Sequence, residues 1–434
     1  MRVGIAIIAV ALTWSASASV DRPVPSRVAS LLALHMASPT AGWAAGATGL
    51  LRTTDGGAHW QVVTPPALRR SWQRSPISLV TAFLGETHAW VAMDNSAVST
   101  TSGQGKPPTT LRLFRTADGG RHWYALPLLR LGAFYYAGKL SFVSREVGWL
   151  EIIRLVGAGS VWFDLYRTPD GGVHWQRVLQ VGSPHPSSGA PLGCDLCDGG
   201  LTFTSQTTGW FTGCWCGVGS GSTFLYVSRN AGRTWQALAL SPPPHRGRIT
   251  IGTLPPILFD RRNGILPAVV FGLRRGRSGG ETHVFDVYVT HDGGRHWTPT
   301  APVPTISLEG YPDIPYSFPD ARHGFFLMGK RLYRTSDGGQ HWQVIPTRIP
   351  LDRVDTIQFL DRRHGFALRP GDTSGRRSIL WRTADGGETW KGIPATIEGF
   401  RRSGVAAGRA THLVAVRSAD GPPINHRSLP AVSA

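Results

Sequence analysis

The chain has 434 residues, and Lys and Arg outnumber Asp and Glu by 45 to 27, which gives a formal net charge of +18 at pH 7. After the first 20 residues no apolar run is long enough to span a bilayer, so the sequence excludes an ordinary helical membrane protein. The charge favours polyanions or acidic protein surfaces as partners, with a marked dependence on salt.

The N-terminus has the three parts of a secretory signal peptide. Arg2 supplies the charge, residues 3–12 the short apolar core, and Ala16-Ser17-Ala18 the small residues of a cleavage site. We therefore expect residues 1–18 to be removed near Ala18 and the mature protein to be exported to the periplasm, the medium or the cell surface. A retained anchor is the alternative, but the apolar core is short for it.

One short pattern recurs seven times. It begins with two apolar residues, which in many copies are followed by Arg. Thr or Ser comes next, then any residue, Asp-Gly-Gly, two further residues and Trp. Residues before and after it favour strands, and Asp-Gly-Gly is a tight-turn signal, because glycine adopts positive φ and the Asp carboxylate accepts nearby backbone N–H groups. The copies centre on Asp55, Asp118, Asp170, Asn230, Asp292, Asp337 and Asp385. Asn230 belongs to a degenerate copy, Asn-Ala-Gly.

A second feature, Gly followed by an aromatic residue, lies upstream of each turn, as in Gly148-Trp149 and Gly365-Phe366. Each repeat thus contains two hairpins and four strands, and the six intervals from Asp55 to Asp385 cover 330 residues, or 55 each. The pattern predicts an all-β protein, a single seven-bladed β-propeller of residues 19–434 with four antiparallel strands per blade. The predicted blades are 28–65, 76–128, 138–181, 199–240, 249–302, 313–346 and 354–394, followed by a tail, 395–434. The sequence does not show how the ring closes, although Leu413-Val414-Ala415-Val416 could form a closing strand.

Arginines are concentrated in the connections between the second and third strands and between blades. These connections should share one face of the ring, opposite the Asp-Gly-Gly turns, and variable loops on a rigid scaffold are typical binding sites. The candidate basic face consists of Arg69, Arg70, Arg74, Arg246, Arg248, Arg274, Arg275, Arg277, Arg376 and Arg377. Codon bias is an alternative source of the preference for Arg over Lys, and other arginines, such as Arg145 and Arg262, fall in turns of the opposite face.

All four cysteines lie in the fourth repeat. In an exported protein we favour two nested disulfides across one hairpin, Cys194 with Cys216 and Cys197 with Cys214; a four-cysteine zinc site is the alternative.

Six acidic residues could line a cleft: Glu86, Glu151, Asp164, Asp286, Glu309 and Asp313. No spacing pairs them diagnostically, so we assign no catalytic residue, cofactor or metal.

The seven turns resemble the Asp-box, the bacterial neuraminidase repeat. This resemblance implies that each turn joins the third and fourth strands of a blade, away from the ligand site, so that its Asp is structural. Sialidases of this superfamily have six blades and xyloglucan-hydrolysing members have two rings in tandem, whereas this chain has seven copies in one ring.

The motifs Phe-x-Asp/Ser-x3-Gly-Trp and Arg-Thr-x-Asp-Gly-Gly-x-His/Thr-Trp together resemble the propeller family of photosystem II assembly and stability factors. That resemblance implies a non-catalytic protein that holds an assembling membrane complex through an arginine-rich surface. Our hypothesis is an exported, monomeric propeller that binds an acidic protein or an anionic envelope polymer, with no nucleic acid expected. The alternative is an Asp-box glycoside hydrolase, sialidase-like or xyloglucanase-like.

Overall fold

The computed structural model describes residues 31–46, 49–69, 79–94, 109–132, 135–157, 160–181, 200–212, 225–243, 250–274, 281–300, 314–328, 330–351, 354–371, 378–394 and 396–398. These residues form seven sheets, each with four antiparallel strand positions, arranged as a seven-bladed β-propeller, as the repeats predicted. The predicted signal peptide lies outside the described residues.

The first strand of each blade lines the centre of the ring, and at several junctions the first strands of neighbouring blades contact each other. They are β1 (Leu31–Met36), β5 (Leu79–Leu84), β10 (Tyr136–Phe142), β14 (Gly200–Phe203), β18 (Thr250–Thr253) with β19 (Ile257–Leu258), β23 (Tyr316–Ser317) and β27 (Thr356–Phe359). The second strands are β2 (Gly42–Gly46), β6 (His88–Asp94), β11 (Gly148–Gly157), β15 (Gly209–Thr212), β20 (Gly264–Arg274), β24 (Gly324–Met328) and β28 (Gly365–Arg369).

The third and outer strands complete each blade. The third strands are β3 (Gly49–Thr53), β7 (Thr110–Thr116), β12 (Ser160–Thr168), β16 (Leu225–Ser228), β21 (Glu281–Thr290), β25 (Arg331–Thr335) and β29 (Ile379–Thr383). The outer strands are β4 (His59–Val62), β8 (Tyr124–Ala125) with β9 (Leu129–Arg130), β13 (Gln176–Val181), β17 (Gln236–Ala237), β22 (Thr298–Pro299), β26 (Gln343–Ile345) and β30 (Lys391–Ile393). Every Asp-Gly-Gly turn therefore joins a third strand to an outer strand.

The extra length of the fifth repeat is mostly strand. The sequence placed residues 274–280 in a loop, but Arg274 is the last residue of β20 and pairs with Glu281 of β21. The expectation for Arg274 was therefore wrong, because two strands of 11 and 10 residues, rich in Val and Phe, extend the hairpin.

The core is divided into seven apolar clusters, one at each junction between neighbouring blades. At the junction of blades 3 and 4, the ring of Trp149 stacks on Phe203 of the next inner strand, with 3.6 Å between the ring centroids. Phe203 also packs edge-to-face with Trp235. Trp90 of blade 2 stacks on Phe142 of blade 3 in the same way, with 3.8 Å between the ring centroids. A Cβ on Gly148 would lie 2.5 Å from the Phe142 ring, so close packing explains the glycine before the aromatic residue.

The ring closes through contacts between blade 7 and blade 1. A fifth strand, β31 (Thr396–Glu398), pairs in parallel with the outer strand β4 of blade 1. At the centre, the Gln358 side chain accepts the Met36 N–H at 2.7 Å and donates to the Met36 carbonyl at 2.8 Å. The closing strand thus comes from residues that the sequence assigned to the tail, and the segment 413–416 lies outside the described residues.

Helix is nearly absent from the ranges that the structure describes. One turn of helix occupies residues 66–69. Within the described ranges, no helix is long and apolar enough to cross a membrane.

Candidate functional site

Each Asp-Gly-Gly turn is held by a hydroxyl and a carboxylate. In blade 3, Thr168 Oγ1 donates to Asp170 Oδ1 at 2.8 Å and accepts the N–H groups of Asp170 and Gly172. Asp170 Oδ1 also accepts the His174 N–H at 2.9 Å. The same pair recurs as Thr53 and Asp55, Thr116 and Asp118, Ser228 and Asn230, Thr290 and Asp292, Thr335 and Asp337, and Thr383 and Asp385. These carboxylates therefore serve the turns.

Hydrogen bonds lower the pKa values of the turn carboxyls. Burial acts to raise the pKa of Asp170, but the bonds from the His174 N–H, the His174 imidazole and the Thr168 hydroxyl outweigh it and lower the pKa to about 2. The pKa of Asp337 is lowered to about 2 in the same way, with burial again opposing the bonds from His341 and Thr335. Both carboxyls are therefore ionised at neutral pH.

The turn histidines do not form a common site. Each imidazole Nδ1 lies 2.5–2.7 Å from the carboxylate of its own turn, and each turn belongs to a different blade. They are His59, His122, His174, His296 and His341. Among the described residues, no group of three or more His, Cys, Asp or Glu side chains could hold a metal ion.

The Asp-Gly-Gly turns share one face of the ring with the turns between the first and second strands. In blade 3 the Gly171 N–H donates to the Glu146 carbonyl at 2.6 Å, and each of the other blades has the equivalent bond. We call this side the turn face, and the opposite side, which carries the other connections, the loop face. Arg145, Arg262 and Arg363 are exposed on the turn face.

Several arginines of the repeated pattern join one blade to the next. Arg115 of blade 2 donates to the Asp170 carbonyl of blade 3 at 3.3 Å, and Arg229 of blade 4 donates to the Gly294 carbonyl of blade 5 at 3.2 Å. Within blade 3, the Arg167 guanidinium lies 5.8 Å from the centre of the Trp149 ring, a cation–π geometry. Part of the high Arg content thus has a structural role, which the sequence did not reveal.

The structure describes little of the candidate basic face. The Arg69 side chain is exposed and its Nε donates to the Thr64 carbonyl at 3.2 Å. Arg274 is the last residue of β20, and its side chain is outside the described part. The remaining arginines of this face lie outside the described residues altogether: Arg70, Arg74, Arg246, Arg248, Arg275, Arg277, Arg376 and Arg377. The four cysteines, Cys194, Cys197, Cys214 and Cys216, also lie outside the described residues, so both the disulfides and the zinc alternative stay predictions.

The acidic residues that could have lined a cleft lie in different surroundings. Glu86 lies in an exposed turn of the turn face, whereas Glu151 and Asp286 are buried. Asp164 is buried between two arginines, with Oδ1 at 3.0 Å from Arg154 Nε and Oδ2 at 3.4 Å from Arg177 Nη1. Burial raises the pKa of Asp164, against the opposing effect of these arginines. Glu309 and Asp313 lie outside the described residues.

Buried polar groups near the centre were missed by the sequence analysis. Asp94 of blade 2 accepts the Ala137 N–H of blade 3 at 3.0 Å, and Lys139 on β10 is buried opposite Glu151. His35 stacks on Phe83 at 5.6 Å, and burial lowers the pKa of His35 to about 4, so its imidazole is neutral at pH 7. No sequence signal marks them, because both faces of an inner strand are covered by neighbouring blades.

The outer edge of blade 2 exposes apolar side chains. Tyr124 and Leu128 have exposed fractions of 62% and 57%, and Val344 of blade 6 is the third large exposed apolar residue among the described residues. The repeat pattern did not predict this edge. Alignment of the seven repeats nevertheless marks Tyr124, which follows the turn tryptophan where four other blades have Gln.

Comparisons with known proteins assign neither a family nor an activity to this chain. No family model matches the sequence, and no curated protein matches it. A solved structure described as YCF48 bound to D1 peptide is 19% identical over 83% of this chain and 94% of that chain, with a TM-score of 0.42. The GH74 xyloglucanase from Xanthomonas campestris is 15% identical over 84% of this chain and 55% of that chain, with a TM-score of 0.49.

A third solved structure is an alpha-L-arabinofuranosidase from Fusarium graminearum, a point mutant in complex with an iminosugar inhibitor. It is 9% identical over 71% of this chain and 92% of that chain, with a TM-score of 0.40. At these identities and TM-scores the likenesses carry no conclusion about function. A peptide-bound protein and glycoside hydrolases are both among the similar structures, and the comparisons favour neither function.

Proposed function

We propose that this chain is an exported, non-catalytic propeller that binds an acidic protein partner, in the manner of an assembly or stability factor for a membrane complex. The observation that carries the proposal is the separation of charges in the described part. Most turn carboxylates accept hydrogen bonds within their own turns, and Asp94, Glu151, Asp164 and Asp286 are buried. The arginines, in contrast, are largely exposed.

Few of these arginines form an ion pair with a carboxylate. Among arginines with described side chains, Arg154, Arg177 and Arg334 form ion pairs with carboxylates. Arg69, Arg121, Arg145, Arg261, Arg262, Arg322 and Arg362 are exposed and have no such pair within the described ranges. A guanidinium that remains hydrated and unpaired is available to carboxylates of a partner, and it suits them geometrically.

The glycosidase alternative has less support. A hydrolase of this kind needs two carboxyl groups about 5–10 Å apart on either side of a sugar. Of the six acidic residues named from the sequence, Glu86 is on the turn face and Asp164 is held by two arginines, while Glu151 and Asp286 are buried in different blades. No specific contact in the described part favours the hydrolase.

The test is a cross-linked capture of binding material from the envelope of the host, using the mature chain. The wash contains about 0.3 M salt, at which exposed charges more than about 6 Å apart are largely screened. Recovery of a discrete acidic protein or membrane complex supports the proposal. Recovery of polysaccharide alone, particularly of shortened chains, would contradict it and favour the hydrolase.

A further inference from the structure

The outer strand of blade 2 departs from the other blades at one position. The residue after the turn tryptophan is exposed and polar in the remaining blades: Gln61, Gln176, Gln236, Thr298, Gln343 and Lys391. In blade 2 it is Tyr124, with 62% of the side chain exposed. An exposed tyrosine is costly in water and is typical of protein interfaces, because it offers a large rigid surface and a hydroxyl group.

A second apolar side chain lies on the same edge. Leu128 is 57% exposed and follows Pro127, at the break between β8 and β9. On either side of the break the chain still pairs with β7, since the Leu126 N–H donates to the Leu113 carbonyl at 2.9 Å and Leu129 pairs with Leu111. Leu126 points into the core, whereas Tyr124 and Leu128 project outward.

Two arginines flank these side chains. Arg121 lies in the Asp-Gly-Gly turn before β8 and Arg130 ends β9, and both are exposed. Neither pairs with a carboxylate within the described ranges. Arg121 also adds to the local positive charge. The pKa of Arg52 is lowered first by burial and then by repulsion from Arg121, while Glu86 opposes the lowering. The edge therefore combines apolar side chains with positive charge.

The edge is a strand edge, and the chain itself shows that such an edge accepts another strand. In blade 1, the equivalent outer strand β4 is covered by β31. Among the described strands, none pairs with the outer side of β8 or β9. An uncovered outer strand presents backbone N–H and C=O groups to which an extended peptide can add.

We propose that the outer edge of blade 2, from Tyr124 to Arg130, binds an extended acidic segment of a protein partner by strand addition. The partner's backbone pairs with β8 and β9, its apolar side chains cover Tyr124 and Leu128, and its carboxylates meet Arg121 and Arg130. This inference rests on the proposed function and names a binding surface for it. An acidic peptide fits better than a polysaccharide because the surface offers a strand edge as well as charge.

The probe is a fluorescein-labelled peptide of seven residues in which glutamate alternates with valine, titrated by fluorescence polarisation against the full chain at about 0.15 M salt. Tyr124→Gln introduces the residue found in four other blades, so it should fold normally, and Leu128→Ser removes the second apolar contact. We expect each change to weaken binding at least fivefold. Val344→Thr, which alters an exposed apolar residue on blade 6, is the matched control and should leave affinity within twofold.

Two results would overturn the inference. One is equal affinity of Tyr124→Gln, Leu128→Ser and the native chain for the peptide. The other is equal binding of a peptide with proline in place of valine, which cannot pair as a strand. If Tyr124→Gln still captures the same acidic envelope protein as the native chain, the edge is excluded while the proposed function stands. If the native chain captures no acidic protein, the proposed function itself fails.

Discussion

The hydroxyl group two residues before each turn carboxylate holds the turn together. Thr168 Oγ1 donates to Asp170 and accepts two backbone N–H groups, and Ser228 does the same in blade 4. The sequence correctly predicted that the Asp would accept backbone N–H groups and that two glycines would adopt positive φ. It did not reveal the role of the hydroxyl, because Thr before a turn is equally consistent with an ordinary strand residue.

The turn carboxyls should make the protein sensitive to acid. Because the pKa values of Asp170 and Asp337 are lowered to about 2 in the folded chain, their ionised forms stabilise it above about pH 4, and this contribution is lost as the pH falls from about 4 to about 2. We expect the thermal midpoint to drop in that window. In an Asp170→Asn, Asp337→Asn double variant the drop should be smaller, as measured by circular dichroism.

Asn230 is the natural precedent for this variant, since its amide oxygen accepts the Thr234 N–H at 2.9 Å. An unchanged acid response in the double variant would show that these carboxyls do not contribute to the pH dependence of stability.

The stacked aromatic rings between blades should dominate the stability of each junction. Trp149 is fully buried, stacks on Phe203 and donates its Nε1–H to the Ala231 carbonyl at 3.0 Å. We expect Trp149→Ala to lower the free energy of unfolding in urea by about 3–5 kcal/mol. Trp149→Phe is the control and should cost much less, because Phe325 occupies this position in blade 6. Equal stability of the two variants would contradict this account of the junction.

At the scale of the strands, the repeat pattern predicted the number of blades and the four strands of each, because every blade carries the same pair of motifs. It did not predict ring closure. The closing strand β31 has three residues and no repeat motif, and the inner contact depends on Gln358, whose polar side chain gives no indication of a partner 322 residues away. Closure depends on tertiary contacts that local sequence does not encode.

The Gln358 contact should stabilise the closed ring. Gln358→Leu would leave the buried N–H and carbonyl of Met36 without their partners, at a cost of about 2–4 kcal/mol in the free energy of unfolding. Gln343→Leu, an equal change at an exposed position of β26, is the control and should change stability by about 0.5 kcal/mol or less. Comparable urea midpoints for the two variants would show that the inner contact does not hold the ring closed.

For the whole molecule, composition gave the excess of positive charge but not its distribution. Arg115 and Arg229 look like surface residues in the sequence, yet they join neighbouring blades, and Arg167 packs on a tryptophan of its own blade. Glu151 and Asp286 look available for chemistry, yet they are buried. Which side of a strand is covered depends on the neighbouring blade, and the sequence of one blade does not contain that information.

The central claim is that the exposed arginines bind an acidic protein and that the ring does not hydrolyse a glycan. Envelope material that stays cross-linked to the mature chain after a wash at about 0.3 M salt should be identified by mass spectrometry and sugar analysis. Poly-glutamate added before the cross-linker should prevent its capture. We expect a discrete protein with an acidic surface. Polysaccharide without protein, especially in shortened chains, would contradict it.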